Sequence, residues 1–227
     1  MTREILDRIL AGLMDDVLSL EGMVQHATLQ AVSALLEFNR KTAREVYFGD
    51  RLINEKRFEV ETECVTTIAT QQPMAVDIRK LASILEIATE LERMGDYAKG
   101  IARINLMVED EDLLALLTPL QDMTDIALEM LVRSVRAFVD SDLVEARAIP
   151  LMDDQVDDFY NQISQRLFAR IVQQPAQATQ INYLQWAVHN IERMADRVTN
   201  ICERTVYVVT GVMNEFENSD DEFPAVN

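Results

Sequence analysis

At 227 residues, with 48% hydrophobic and 26% charged residues and only 6 glycines and 5 prolines, the chain has the balance of a folded helical protein rather than a disordered one. Its formal charge of -18, from 39 acidic against 21 basic residues with no basic cluster, argues against binding to nucleic acid or anionic lipid and suits a cation or a basic protein partner. The length admits one domain or two units of about 100 residues, each able to bury a workable core.

The N-terminal segment MTREILDRILAGLMDDVLSLEG has charges interrupting every apolar run, unlike a signal peptide, and no run of about 18 apolar residues follows anywhere. A cytoplasmic protein without membrane insertion is the expectation. Apolar periodicity then predicts an all-α chain of six long helices: 3–38, 42–71 and 74–109, followed by 112–139, 142–173 and 177–213. Gln71-Gln72-Pro73 and Gln173-Gln174-Pro175 end a helical pattern in each half, since proline is tolerated only near a helix start. Asp140-Ser141-Asp142 offers N-caps for the fifth helix, and Pro150 inside that helix predicts a kink just before Asp153. The acidic segment from Asn214 onward has no periodicity and reads as a mobile, solvated tail.

The chain is written twice. A shift of 100 positions lays LERMGDYAKGI, from Leu91, over IERMADRVTNI, from Ile191, and pairs Met23 with Met123, Ala27 with Ala127, Val32 with Val132 and Phe38 with Phe138. With small length changes Ala43 pairs with Ala146 and Asp50 with Asp153. The expected organisation is a first three-helix bundle over 1–110, a second over 111–213 and a tail over 214–227, the two bundles being tandem repeats of one antiparallel unit.

Leu91, Met94, Ala98 and Ile101 follow the spacing of a buried stripe, repeated by Ile191, Met194, Val198 and Ile201, so both methionines are assigned to packing. Cys64 and Cys202 lack any paired ligand spacing and read as small buried apolar residues, with no disulfide framework. Asp77 and Arg79, near a helix start, are open to reading as a functional surface feature, and a solvated first turn where a carboxylate favours the helix dipole explains Asp77 equally well.

Glu92 and Asp96 lie one turn apart on one helix face, and Glu192 with Asp196 repeats them. Any one such pair is most simply a wet helix face. Asp153 and Asp157 on the middle helix of the second unit, with Asp50 and Asn54 at the aligned places of the first, supply a facing ladder in each. Carboxylates gathered from adjacent helices are unfavourable without a counter-ion, and the duplication tilts the reading toward a bound metal ion. No Glu-x-x-His pair, Gly-rich phosphate loop, nucleophile elbow or HExxH motif accompanies them, so the chain is not expected to be an enzyme. His26 and His189 read as partly exposed helical residues.

The doubled E/D-x-x-x-D signature, with QQPMAVDIR from Gln71 and ERMADRVTNICE from Glu192, resembles the PhoU family over nearly the whole chain. The resemblance implies two three-helix bundles carrying multinuclear metal clusters of iron or zinc. It implies Asp50, Asn54, Glu92 and Asp96 as ligands of one site and Asp153, Asp157, Glu192 and Asp196 as ligands of the other. It also implies a homodimer acting as a negative regulator of phosphate-starvation signalling, between a Pst-type phosphate importer ATPase and a PhoR-type sensor kinase. Asn54 departs from the pattern by replacing an acid, so the second site, with four carboxylates against three, is expected to hold metal more tightly. Two alternatives stay open: a helical adaptor without regulatory metal, and an accessory protein of another phosphate transporter.

Overall fold

A computed structural model describes residues 2–213 and Phe216. Among the described residues every regular element is helical: α1 (Thr2–Leu36), α2 (Arg40–Gln71), α3 (Ala75–Met107), α4 (Leu120–Asp140), α5 (Leu143–Ala148), α6 (Asp153–Gln173) and α7 (Ala178–Thr210), with short 3-10 segments between them. The duplicated, antiparallel three-helix architecture expected from the repeat is present. The expected tail lies outside the described residues, apart from Phe216, whose N–H donates to Glu203 Oε1 at 2.8 Å.

The helix ends are repeated along with the helices. After α1 the chain turns through Phe38 at φ 52°, and Asn39 N–H reaches back to the Ala34 carbonyl at 2.8 Å. After α4 it turns through Ser141 at φ 56°, and Asp142 N–H reaches the Ala137 carbonyl at 2.8 Å. Both are left-handed C-terminal turns that satisfy carbonyls the helix leaves open. The next helix is then capped at once: Asn39 accepts from Thr42 N–H, and Asp142 accepts from Val144 and Glu145 N–H.

Three boundaries differ by more than two residues from those read in the sequence. The fourth helix starts at Leu120 rather than 112: 111–117 form a 3-10 segment instead, and Pro119, which has no N–H to donate, stands at the N-cap. The fifth helix is two helices, α5 and α6, separated by a 3-10 segment over Ile149–Met152 at Pro150. The break falls immediately before Asp153, where the kink was expected, and it puts Asp153 and Asp154 in the first turn of a new helix. The last helix ends at Thr210, where Gly211 takes the left-handed φ of 78° at its C-terminus.

Helices α1 to α3 form an up-down-up bundle. Lys56 on α2 pairs with Asp16 on α1, Arg3 of α1 pairs with Asp77 of α3 at the same end, and Asn105 Nδ2 of α3 donates to the Ala34 carbonyl at the other. Helices α4 to α7 form the second bundle, with Arg133 of α4 bonded to Glu145 of α5 and Gln185 of α7 to Ser164 of α6. Both predicted stripes, Leu91 to Ile101 and Ile191 to Ile201, are buried, as are Cys64 and Cys202. Burial of such aliphatic side chains, at roughly 1.5–3 kcal/mol each, is the main driving term.

The bundles are joined along α3 and α7, which run antiparallel to each other. Tyr97 meets Arg197, Gly100 lies against Asn190, and Glu86 stands 3.8 Å from Arg204. Thr28 Oγ1 of α1 adds a 3.7 Å contact to Met194 Sδ of α7. One hydrophobic core is therefore continuous through both repeats.

Candidate metal centre

In the first unit α2 and α3 approach closely because Gly95 has no side chain: a Cβ there would stand 3.1 Å from Ile53 Cδ1 and Cγ2. The sequence-predicted residues Asp50 and Asn54 lie on α2 and Glu92 and Asp96 on α3, and they run from buried Asp50 through half-buried Asn54 and Glu92 to exposed Asp96. Asp50 is only 5% exposed. Its Oδ2 accepts from Asn54 Nδ2 at 3.0 Å and from Lys99 Nζ at 2.7 Å, while its Oδ1 is buried with no hydrogen-bond partner among the described residues. Lys99 Nζ also stands 3.7 Å from Asp96 Oδ1 and 5.8 Å from the centre of the Tyr47 ring.

Electrostatics show that the carboxylates of this unit share one field. Burial raises the pKa of Glu92 above the usual carboxylate value, and the charges of Asp96 and Asp50 raise it further, against the opposing effect of Arg57. The hydrogen bond to Asp50 raises the pKa of Lys99, which holds its ammonium charged. The sequence reading did not single out Lys99, although its position seven residues beyond Glu92 and three beyond Asp96 places it on the same helix face.

In the second unit Asp153 and Asp157 lie on α6 and Glu192 and Asp196 on α7, all four partly buried. The ring of Tyr160 stands 6.3 Å from that of His189, which fixes the antiparallel register of the two helices. One turn further along each helix puts Asp157 level with Glu192, and the next turn puts Asp153 level with Asp196. His189 Nδ1 is 3.0 Å from Glu192 Oε2, and Arg193 Nη1 donates to Asp196 Oδ2 at 2.8 Å. Burial lowers the His189 pKa, aided by Arg193, so the imidazole is neutral at physiological pH.

The residue chemistry fits a divalent cation held by oxygen. The buried Asp50 Oδ1 lacks a partner and Glu92 is crowded by like charge, and a cation relieves both costs. As the side chains are placed, no three His, Cys, Asp or Glu residues among those described stand close enough to share one ion, so binding requires rotamer changes in these carboxylates. In the first unit the Lys99 ammonium stands against Asp50, and Arg57 and Arg93 act on Glu92.

A family model described as the PhoU domain matches the chain twice, over residues 17–104 and 120–205. The chain belongs to the PhoU family. The first match falls on α1 to α3 and the second on α4 to α7. A phosphate-specific transport system accessory protein PhoU homolog of Streptococcus pneumoniae is 30% identical over 92% of this chain and 97% of its own. A homolog of the same description from Clostridium acetobutylicum is 29% identical over 93% and 97%. The crystal structure of the phosphate transport system regulatory protein PhoU from S. pneumoniae superposes with a TM-score of 0.84 at 28% identity, covering 93% of this chain and all of that one. PhoU from Pseudomonas aeruginosa gives 0.81 at 26% identity over 91% and 99%. The PhoU relatives are described as accessory and regulatory proteins of phosphate transport, and no helix among the described residues is long and apolar enough to cross a membrane.

Proposed function

We propose that this PhoU-family chain is a non-enzymatic, cytoplasmic negative regulator that couples a Pst-type phosphate importer to a PhoR-type sensor kinase and represses phosphate-starvation genes when phosphate is plentiful. The observation that carries the reading is the acidic face written into each repeat of a chain that matches the family model twice. Asp50, Asn54, Glu92 and Asp96 in the first unit, and Asp153, Asp157, Glu192 and Asp196 in the second, are the ligands proposed for iron or zinc. A bound cation neutralises the facing carboxylates and ties the middle helix of a unit to its last helix. Each acidic face then becomes a surface whose charge depends on metal, and a homodimer would present such faces in duplicate.

Deletion of the gene tests the regulatory role. Starvation-induced phosphatase should stay high in phosphate-rich medium and fall again when the gene is restored. Normal repression in the deletant would favour the accessory-protein alternative, in which the same fold serves another phosphate transporter without regulatory metal. Elemental analysis of the native protein, beside a pull-down of the kinase and importer ATPase, tests the metal and the partners separately.

A further inference from the structure

Beside the acidic face of the second unit stands a nitrogen donor that the doubled carboxylate signature does not include. His189 precedes Glu192 by three residues on α7, which puts both on one helix face, and its Nδ1 is 3.0 Å from Glu192 Oε2. A nitrogen and an oxygen bound to one Zn2+ ion at about 2.0–2.2 Å, at angles from octahedral to tetrahedral, lie about 2.8–3.5 Å apart. The two donor atoms therefore already stand at the span of a single ion. The imidazole ring packs edge-on against Trp186, with centroids 5.9 Å apart, and tilted against Tyr160 at 6.3 Å. Tyr160, Asn182, Gln185, Trp186 and His189 line a cleft of about 260 Å3 that opens to solvent, so an ion can reach the ring. Arg193 Nη1 donates to Asp196 Oδ2 at 2.8 Å, which places a positive charge at the Asp196 end of the ladder, whereas the imidazole stands at the Glu192 end. The aligned places of the first unit carry other chemistry. Thr89 aligns with His189, and its hydroxyl donates to the Leu85 carbonyl at 2.9 Å. Arg57 aligns with Tyr160 on the facing helix, and its charge acts on Glu92. An imidazole lone pair suits Zn2+ and Fe2+, whereas Mg2+, Ca2+ and Mn2+ favour an all-oxygen set.

We propose that His189 is a nitrogen ligand of the metal centre between α6 and α7, joining Glu192 and Asp157, and that it selects Zn2+ or Fe2+ over Mg2+ or Mn2+ there. The inference rests on the metal reading above and adds to it a residue outside the repeated acidic pattern. The pair formed by His189 and Glu192 needs no rearrangement to receive an ion, and Asp157 turns in from α6 to join it.

The test uses the full chain stripped with chelator and labelled with nitrogen-15 at its two histidines, His26 and His189. Zn2+ and, separately, Mg2+ are added while NMR follows the imidazole nitrogens and calorimetry follows binding. Zn2+ should move the His189 signals and leave those of His26 in place, and Mg2+ should move neither. His189→Asn, which keeps an N–H beside Glu192 but has no imidazole lone pair, should weaken Zn2+ binding by about tenfold or more and Mg2+ binding by less than about twofold. Asp157→Asn should raise the Zn2+ concentration that shifts His189 by about tenfold. His189→Asn that binds Zn2+ as the parent does would show that the ring only orients Glu192 by a hydrogen bond, and would overturn the inference. His189 signals that stay still while calorimetry records Zn2+ binding would overturn it and leave the metal reading standing. A shift produced equally by Mg2+, matched by His26 or unmoved by Asp157→Asn would overturn it as well, the last two by marking exposed imidazole that takes Zn2+ outside the ladder. No binding of either ion would overturn both readings. Should His189→Asn fail to fold, the His26→Gln chain, whose one remaining imidazole is His189, decides from its nitrogen signals alone.

Discussion

Tyr97 and Arg197 occupy the same position in the two repeats, and they meet: Arg197 Nε donates to Tyr97 Oη at 3.2 Å across the junction of the bundles. The contact lies where α3 and α7 cross, so the repeats face each other about a pseudo-two-fold relation rather than stacking head to tail. The two sequences have diverged here from a common position into a donor and an acceptor. Arg197 Nη1 reaches on to Glu90 Oε2 at 3.2 Å, and Arg93 Nη1 reaches Glu90 Oε1 at 3.2 Å, so the buried Glu90 carboxylate is paired on both oxygens.

Arg197→Met should therefore loosen the junction. Breaking a buried pair costs about 3–5 kcal/mol, and Arg93 remains to hold one oxygen, so a loss of roughly 2–3 kcal/mol is expected in urea denaturation. Adding Glu90→Gln should recover part of that loss, because the stranded charge goes with it. Strictly additive losses in the double-mutant cycle would show that the pair does not couple the bundles.

Gly95 sets the approach of α2 to α3. Alanine there gains roughly 0.5–1 kcal/mol of helix propensity against crowding of Ile53, whereas valine adds two methyl groups that a buried isoleucine cannot accommodate. Gly95→Val should destabilise by about 2 kcal/mol and Gly95→Ala by less than about 1 kcal/mol. Equal midpoints for parent and Gly95→Val in thermal denaturation would show that the α2–α3 contact yields.

Both thiols should be inert in the folded protein. Burial raises Cys64 and Cys202 to about 12, leaving almost no thiolate at neutral pH. A disulfide reagent added at pH 8 should titrate neither cysteine until denaturant is present, and then both. Fast labelling of either in the native state would mean that its helix opens locally.

Asp77 is buried, not solvated as its place near a helix start suggested. It accepts from Arg3 Nη1 at 2.7 Å and Nη2 at 3.0 Å and caps α3 by accepting from Met74 N–H at 3.2 Å. The Arg3 hydrogen bonds are the chief cause of its lowered pKa, with the Met74 N–H adding to them. A folded-state pKa below the unfolded value contributes stability that is present above the unfolded pKa and lost as pH falls through the folded one. Arg3→Ala should raise the Asp77 pKa, seen by NMR titration of its carboxyl carbon, lower stability at pH above the unfolded-state carboxylate pKa, and shrink the part of the stability that is lost in acid. An unchanged Asp77 titration would remove Arg3 as the cause.

The repeat, the buried stripes, the break at Pro150 and the positions of both carboxylate ladders were legible in the sequence, because each is set by local chemistry: periodicity, a missing N–H, or a one-turn spacing. The late start of α4 was legible too, since Pro119 carries the same signal as Pro150. What only the tertiary structure decided is which groups from different helices face one another. The placement of Lys99 over Asp50 depends on the register of α2 against α3, which Gly95 and Ile53 fix by contact. The pairing of Arg197 with Tyr97 and Glu90 depends on the antiparallel crossing of α3 and α7. Side chains distant in sequence meet only through packing, and no spacing along one helix encodes a neighbour on another.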